Sequence, residues 1–282
     1  MKKVALLTDS TAGLSNELIS QYEISVVPLV LLWDGESYLD GVDIQPEAFY
    51  TRLQTAAKLP TTSQVSITHF QEAFKRLLEQ DQAVLAVLHS SQLSGTLESA
   101  LSAQESFPGA PITIIDSNTI SMALGFQLLA AARAAEQGAS LQECQAIVEQ
   151  AREHTGLFFT PETLEFLHRG GRLGGGTRLL GTALSIKPML QISEGHIEPA
   201  GRVRTRKKSL QKLIELVQEH SGGRQPIRLA AVHANALQEA QDLLEMARVQ
   251  LNAEECLLAE FSPVVGAHTG PGTVGLAYMA GI

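Results

Sequence analysis

The chain has 282 residues, long enough for two domains of ordinary size, and its 44% hydrophobic and 18% charged content is that of a folded globular protein. A formal net charge of −9 speaks against a general nucleic-acid binder. No apolar run approaches the roughly 18 residues of a membrane-spanning helix, and the start, MKKVALLTDS, is interrupted too early for a secretory signal.

In chain order, the first half alternates short β-rich runs with amphipathic helices. VALLT is followed by a short helix near Asn16 to Tyr22, and ISVVPLVLL reads as one strand ending at the Asp34-Gly35 turn signal. A helix near Pro46 to Thr55 precedes LPTTSQVS. In ITHFQEAFKRLLEQ, Phe70, Phe74, Leu77 and Leu78 share one helical face, with Ser66 placed to cap the helix from Ile67. AVLAVLHS, a helix from about Gly95 to Phe107, ITIIDS and two helices covering Thr119 to His154 complete this half. Unbroken apolar strands alternating with helices predict a parallel sheet covered on both faces.

The second half starts with GLFFT, a helix near Glu162 to His168 and the glycine-rich RGGRLGGGTR. IKPMLQI and HIEPAGRVR flank Ser193-Glu194-Gly195 as a hairpin. Helices over Lys207 to His220 and Leu237 to Leu251 bracket the strand IRLAAVHA, and AEFSPVV and TVGLAYMAG read as strands. The pattern predicts an α/β chain of two domains: a parallel-sheet α/β/α domain over 1–155 and a mixed-sheet α/β domain over 156–282.

Cys144 and Cys256 are far apart, in helical and strand patterns, so neither a disulfide framework nor a zinc site is expected, and a reducing cytoplasm is the simplest address. The closest two of the eight histidines are thirteen residues apart, and no metal or other cofactor is expected. Charge is uneven: ten Lys or Arg stand against Glu194 and Glu198 between Arg169 and Lys212. Such a zone on an acidic body serves either as a solvated face or as a dock for something anionic.

Ligands bind outside the carboxyl ends of parallel strands. Three predicted strands run into Thr8-Asp9-Ser10-Thr11, His89-Ser90-Ser91 and Asp116-Ser117-Asn118. Taken singly, each serves equally as a turn or cap residue. Ser94 and Gly95 open a helix, where backbone N–H groups and a hydroxyl favour an anion and glycine allows close approach. The glycines at 270, 272 and 275 fit a dinucleotide fingerprint poorly, because seven residues follow Gly275 and leave no room for a helix and second strand. His268 beside them reads as a loop histidine able to face a ligand. RGGRLGGG lacks the Lys-Ser/Thr ending of a phosphate-binding loop. Ser94 with His89 or His268 and Asp9 or Asp116 supplies the residue types of a serine hydrolase, without a G-x-S-x-G elbow.

LLTDSTAGLS, PTTSQVS, SSQLSGTLESA, IIDS, LEFLHRGGRL, SIKPML, GRVRTRKKSL and HTGPGTVG occur in this order from end to end, and together they resemble the DegV family of bacterial fatty-acid-binding proteins. The resemblance implies a long-chain fatty acid such as palmitate or oleate, its acyl chain buried and its carboxylate at the domain junction on Thr62, Ser94 and His268, with Gly95 adjoining. It implies a carrier with no catalytic residues, which hands its ligand to an ATP-dependent fatty acid kinase subunit. Arg172, Arg202, Arg204 and Arg206, with Lys207 and Lys208, are then the docking zone. Neither nucleic acid nor stable membrane insertion is expected. A hydrolase of acyl esters using Ser94 is the competing reading.

Overall fold

The computed structural model describes residues 3–174 and 186–282. Parts of two sequence segments singled out above, Gly175 to Arg178 and Ser185, lie outside the described residues. The first sheet is parallel, in the order β2-β1-β6-β7: β1 (Val4–Asp9), β2 (Ser25–Val27), β6 (Ala83–Leu88) and β7 (Ile112–Asp116). Every residue of β1 and β6 is buried, as expected for strands covered on both faces. Side-chain alternation divides them between two cores. Ala5, Leu7, Val84 and Ala86 face helices α3 (Ile67–Glu79) and α4 (Thr96–Gln104), whereas Val4, Leu6, Leu85 and Val87 face α5 (Met122–Glu136) and α6 (Leu141–His154).

The second sheet has six strands in the order β10-β9-β8-β13-β11-β12: β8 (Thr155–Thr160), β9 (Lys187–Ser193), β10 (His196–Val203), β11 (Ile227–His233), β12 (Glu255–Glu260) and β13 (Val274–Ala280). β11 and β12 pair in parallel and the remaining pairs are antiparallel, so the sheet is mixed. Helices α8 (Arg206–Ser221) and α9 (Leu237–Leu251) cover one face. On the opposite face Leu157, Phe159, Leu190, Val232 and Ala277 join the core that includes α3, α4 and the first sheet. Apolar packing is therefore continuous between the sheets. The β9–β10 hairpin is fastened to the parallel sheet's rim, where the Ser90 hydroxyl donates to the Gly195 carbonyl at 2.9 Å.

Two segments depart from the sequence pattern. Ile24 to Leu32 is not one strand, because Pro28 has no N–H for a ladder. After it the chain turns away into a separate antiparallel sheet, β4-β3-β5, made of β3 (Val30–Trp33), β4 (Glu36–Leu39) and β5 (Thr61–Ser63). Asp34 and Gly35 make its tight turn, both with positive φ, as a primed hairpin turn requires. The SPVV part of AEFSPVV is not extended: Pro263 opens helix α10 (Pro263–Thr269), where its missing N–H breaks no helical bond. His268 consequently lies in the last turn of a helix rather than in a loop. Shorter helices α1 (Asn16–Gln21), α2 (Pro46–Leu53) and α7 (Glu165–Arg169) complete the described elements.

Candidate functional site

LPTTSQVS divides into a strand and a cap. Ser66 accepts from the His69 N–H at 3.2 Å and starts α3. Upstream, Thr61 and Ser63 are exposed while Thr62, paired with Leu31, turns inward by strand alternation. Its Oγ1 lies 2.8 Å from His268 Nε2. Burial first, and then the positive charge of Arg172, push the His268 imidazole down to about 4, so the ring is neutral at neutral pH. Its Nδ1 is buried with no hydrogen-bonding partner among the described residues. Gly170 backs the ring so closely that a Cβ there would overlap Nδ1.

Ser94 and Gly95 sit at the start of α4. Ser94 Oγ accepts from the Thr96 N–H at 3.3 Å and lies 3.1 Å from Thr96 Oγ1. A Cβ on Gly95 would stand 2.6 Å from Gln64 Oε1, so the glycine admits the Gln64 amide, which donates to Ser99 Oγ at 3.1 Å. The helix end and the strand carrying Thr62 are thereby drawn together.

Thr62, Ser94, Gly95 and His268 all line one cavity of about 180 Å³ between the two large sheets. Its apolar wall includes Leu157 and Phe159 of β8 and the facing pair Ile192 and Ile197 of the β9–β10 hairpin. The four residues proposed from sequence for the head group therefore share a site, and Arg172 joins them. Its Nε donates to the Leu93 carbonyl at 3.1 Å and its Nη1 to the Gly170 carbonyl at 2.6 Å. The sequence pattern grouped Arg172 with the basic zone expected to dock a partner. The signal for its inward position was Gly170, which lets α7 end against His268.

Arg202 and Arg204 are exposed. Arg206 is not offered outward: it binds Glu239 through Nε and Nη2, donates to the Thr160 carbonyl at 3.2 Å, and also bonds the Gly272 carbonyl. Its side chain is only 19% exposed. It ties α8 to α9 and the strand ends.

The hydroxyl, imidazole and carboxylate groups do not form a relay. His89 Nδ1 is 2.9 Å from Asp9 Oδ2, but Ser94 pairs with Thr96, and no hydrogen bond joins it to His89 or His268 among the described residues. Asp116 accepts the Ser91 and Asn118 N–H groups and serves as a turn residue. Among the described residues no group of three His, Cys, Asp or Glu could hold a metal ion, and no helix is long and apolar enough to cross a membrane.

A parallel and a mixed sheet, with a small antiparallel sheet beside them, enclose a cavity lined by both apolar and polar residues and define an α/β protein with an amphipathic pocket. The chain belongs to the DegV family: the family model described as "Uncharacterised protein, DegV family" matches residues 3–281. It is 36% identical over 279 residues to a DegV domain-containing protein of Clostridium perfringens, covering 98% of each chain. A fatty-acid-binding DegV family protein from Thermus thermophilus superposes with a TM-score of 0.91 at 35% identity, covering 99% of both chains. DegV of Bacillus subtilis, described as a fatty acid binding protein, gives 0.90 at 31% identity over 99% of this chain and 100% of its own.

Proposed function

We propose that this protein carries a long-chain fatty acid in the cavity, with the carboxylate on Thr62, Ser94, the Gly95 amide and His268. The observation that carries this reading is the placement of the Thr62–His268 couple and Ser94 together on an otherwise largely apolar cavity. Burying a methylene is worth about 0.8 kcal/mol, so a sixteen-carbon tail supplies on the order of 10 kcal/mol before the costs of association. Charge-assisted hydrogen bonds add roughly 1.5–3 kcal/mol each and fix which end of the ligand stays at the polar mouth.

The neutral His268 and the two hydroxyls hold the carboxylate without a direct counter-ion, and Arg172 supplies positive charge nearby. The carboxylate so held stays available as a nucleophile for an ATP-dependent fatty acid kinase subunit, which docks on Arg202 and Arg204 in the cytoplasm. The protein itself performs no chemistry. Ligand binding then draws together two domains, 1–155 and 156–282.

Mass spectrometry of an organic extract of the purified protein tests the reading. Stoichiometric fatty acid is expected, lost on Ser94→Ala and Thr62→Ala. Absence of any fatty acid, together with failure to bind added palmitate or oleate, would sink it. Turnover of a chromogenic acyl ester that vanishes in Ser94→Ala would replace it with the hydrolase reading.

A further inference from the structure

The cavity wall holds one polar couple that head-group binding does not use. His89, 2% exposed, lines the cavity from the end of β6, and Asp9, fully buried, stands behind it at the end of β1. The Asp9 carboxylate is saturated from this side. It accepts His89 Nδ1 and the His89 N–H at 2.9 Å each through Oδ2, and the Thr11 N–H and hydroxyl at 2.9 and 2.6 Å through Oδ1. With Nδ1 held by Asp9, Nε2 is the nitrogen left for the cavity, and no described residue bonds to it. Thr11 lines the same cavity.

Stability does not explain this arrangement. A buried carboxylate–imidazole couple is often no better than apolar residues of similar volume. Here the couple leaves a ring nitrogen without a described partner on a cavity whose lining includes Ile120, Leu157 and Ile192, and an unpaired polar group among apolar residues is costly. The couple is built as a fixed support: the carboxylate orients the imidazole through one nitrogen and leaves the other available.

We propose that His89 is a specificity-determining contact for the acyl chain, and that the cavity takes fatty acids bearing a hydroxyl on the chain, which bonds to His89 Nε2. This inference rests on the fatty-acid reading and names its substrate class. A hydroxyl both donates and accepts, so it satisfies Nε2 in either protonation state. Elsewhere along an apolar wall the same hydroxyl would be buried without a partner and would weaken binding. The preference is therefore confined to the chain position that comes opposite His89.

The test is displacement of a fluorescent fatty acid by palmitate and by a series of hexadecanoic acids carrying one hydroxyl at successive positions. Wild type is expected to bind one positional isomer about tenfold or more tighter than the other hydroxy isomers. His89→Phe should erase that advantage while still binding palmitate. Because His89→Phe strands the Asp9 carboxylate, the double variant Asp9→Asn/His89→Phe is measured beside it and should give the same flat series. The His89 Nε2 resonance in ¹⁵N-labelled wild type should shift with the favoured isomer and not with palmitate. A flat isomer series in wild type, or a preference that survives in the double variant, overturns the inference while palmitate binding leaves the fatty-acid reading intact. Failure of palmitate and every isomer to bind wild type overturns both.

Discussion

Thr62 and His268 are 206 residues apart in sequence, yet Thr62 Oγ1 stands 2.8 Å from His268 Nε2. One comes from the edge strand of the small sheet and the other from the last turn of α10. Thr62→Val keeps the β-branched shape that suits β5 and removes only the hydroxyl. Fatty-acid affinity should fall about tenfold, with unfolding free energy changed by no more than about 1 kcal/mol. Because the two side chains act as a couple, Thr62→Val with His268→Ala should cost less affinity than the sum of the single changes. Strict additivity, measured by ligand displacement, would contradict that coupling.

His268 makes stability fall in acid. Its folded value is about 4 against an ordinary value near 6.5, so the unfolded chain binds the proton first. The stabilisation is complete above about pH 6.5 and is lost as the pH falls from there toward about 4, a loss of roughly 3 kcal/mol. Urea melts across this range should show a shallower decline for His268→Gln than for wild type. A bound carboxylate favours the imidazolium, so the His268 titration followed by NMR should move upward in the loaded protein.

Asp40 acts in the opposite sense. Burial, only partly offset by bonds from the Ser10 hydroxyl and the Val264 N–H, raises its carboxyl from 3.8 to about 6. The folded state therefore favours the protonated acid. That contribution is fully present below about pH 3.8 and is lost as the pH rises through about 6. Asp40→Asn should flatten the pH dependence of stability between those values, and an unchanged slope in urea melts would refute the assignment.

Gly170 is required for the space it leaves. Its φ of −73° is ordinary, so Gly170→Ala meets no backbone strain, but the new methyl overlaps the His268 ring. Ligand retention should drop as in His268→Ala. Thermal stability of Gly170→Ala should then improve when His268→Ala is added, because the clash disappears. A loaded, normally stable Gly170→Ala protein would show that the ring has somewhere else to go.

The arginines around β10 separate by role. Arg202→Glu with Arg204→Glu should leave fatty-acid retention intact and weaken phosphorylation of the bound acid by a fatty acid kinase subunit at least tenfold. Arg206→Ala should instead lower stability by roughly 1–3 kcal/mol, since it abandons Glu239 and two carbonyls.

Strand and helix periodicity carried most of the fold into view. VALLT and AVLAVL announced a doubly covered parallel sheet by their unbroken apolarity, and Ser193-Glu194-Gly195 announced a hairpin. The small sheet was less visible because its strands are three or four residues long and β5 is made of hydroxyl residues. Ser-Pro-Val-Val looked extended because β-branched residues favour strands, whereas Pro263 and burial against the core made them helical. That Thr62, Ser94 and His268 come to one cavity was anticipated through the family's motifs and not through any local pattern. The inward turn of Arg172, the burial of Arg206 and the cavity-facing ring of His89 depend on tertiary packing that no local pattern encodes.

The hairpin latch has a consequence for how the molecule is put together. Ile192 and Ile197 belong to the mixed sheet, but Ser90 of the parallel sheet holds the turn between them. Neither half owns a complete container, so a chain severed between α6 and β8 yields two fragments that are each blind to lipid. On the proposed function the cargo would act as mortar between the halves, and slower cleavage at the junction in protein saturated with palmitate is the expected outcome.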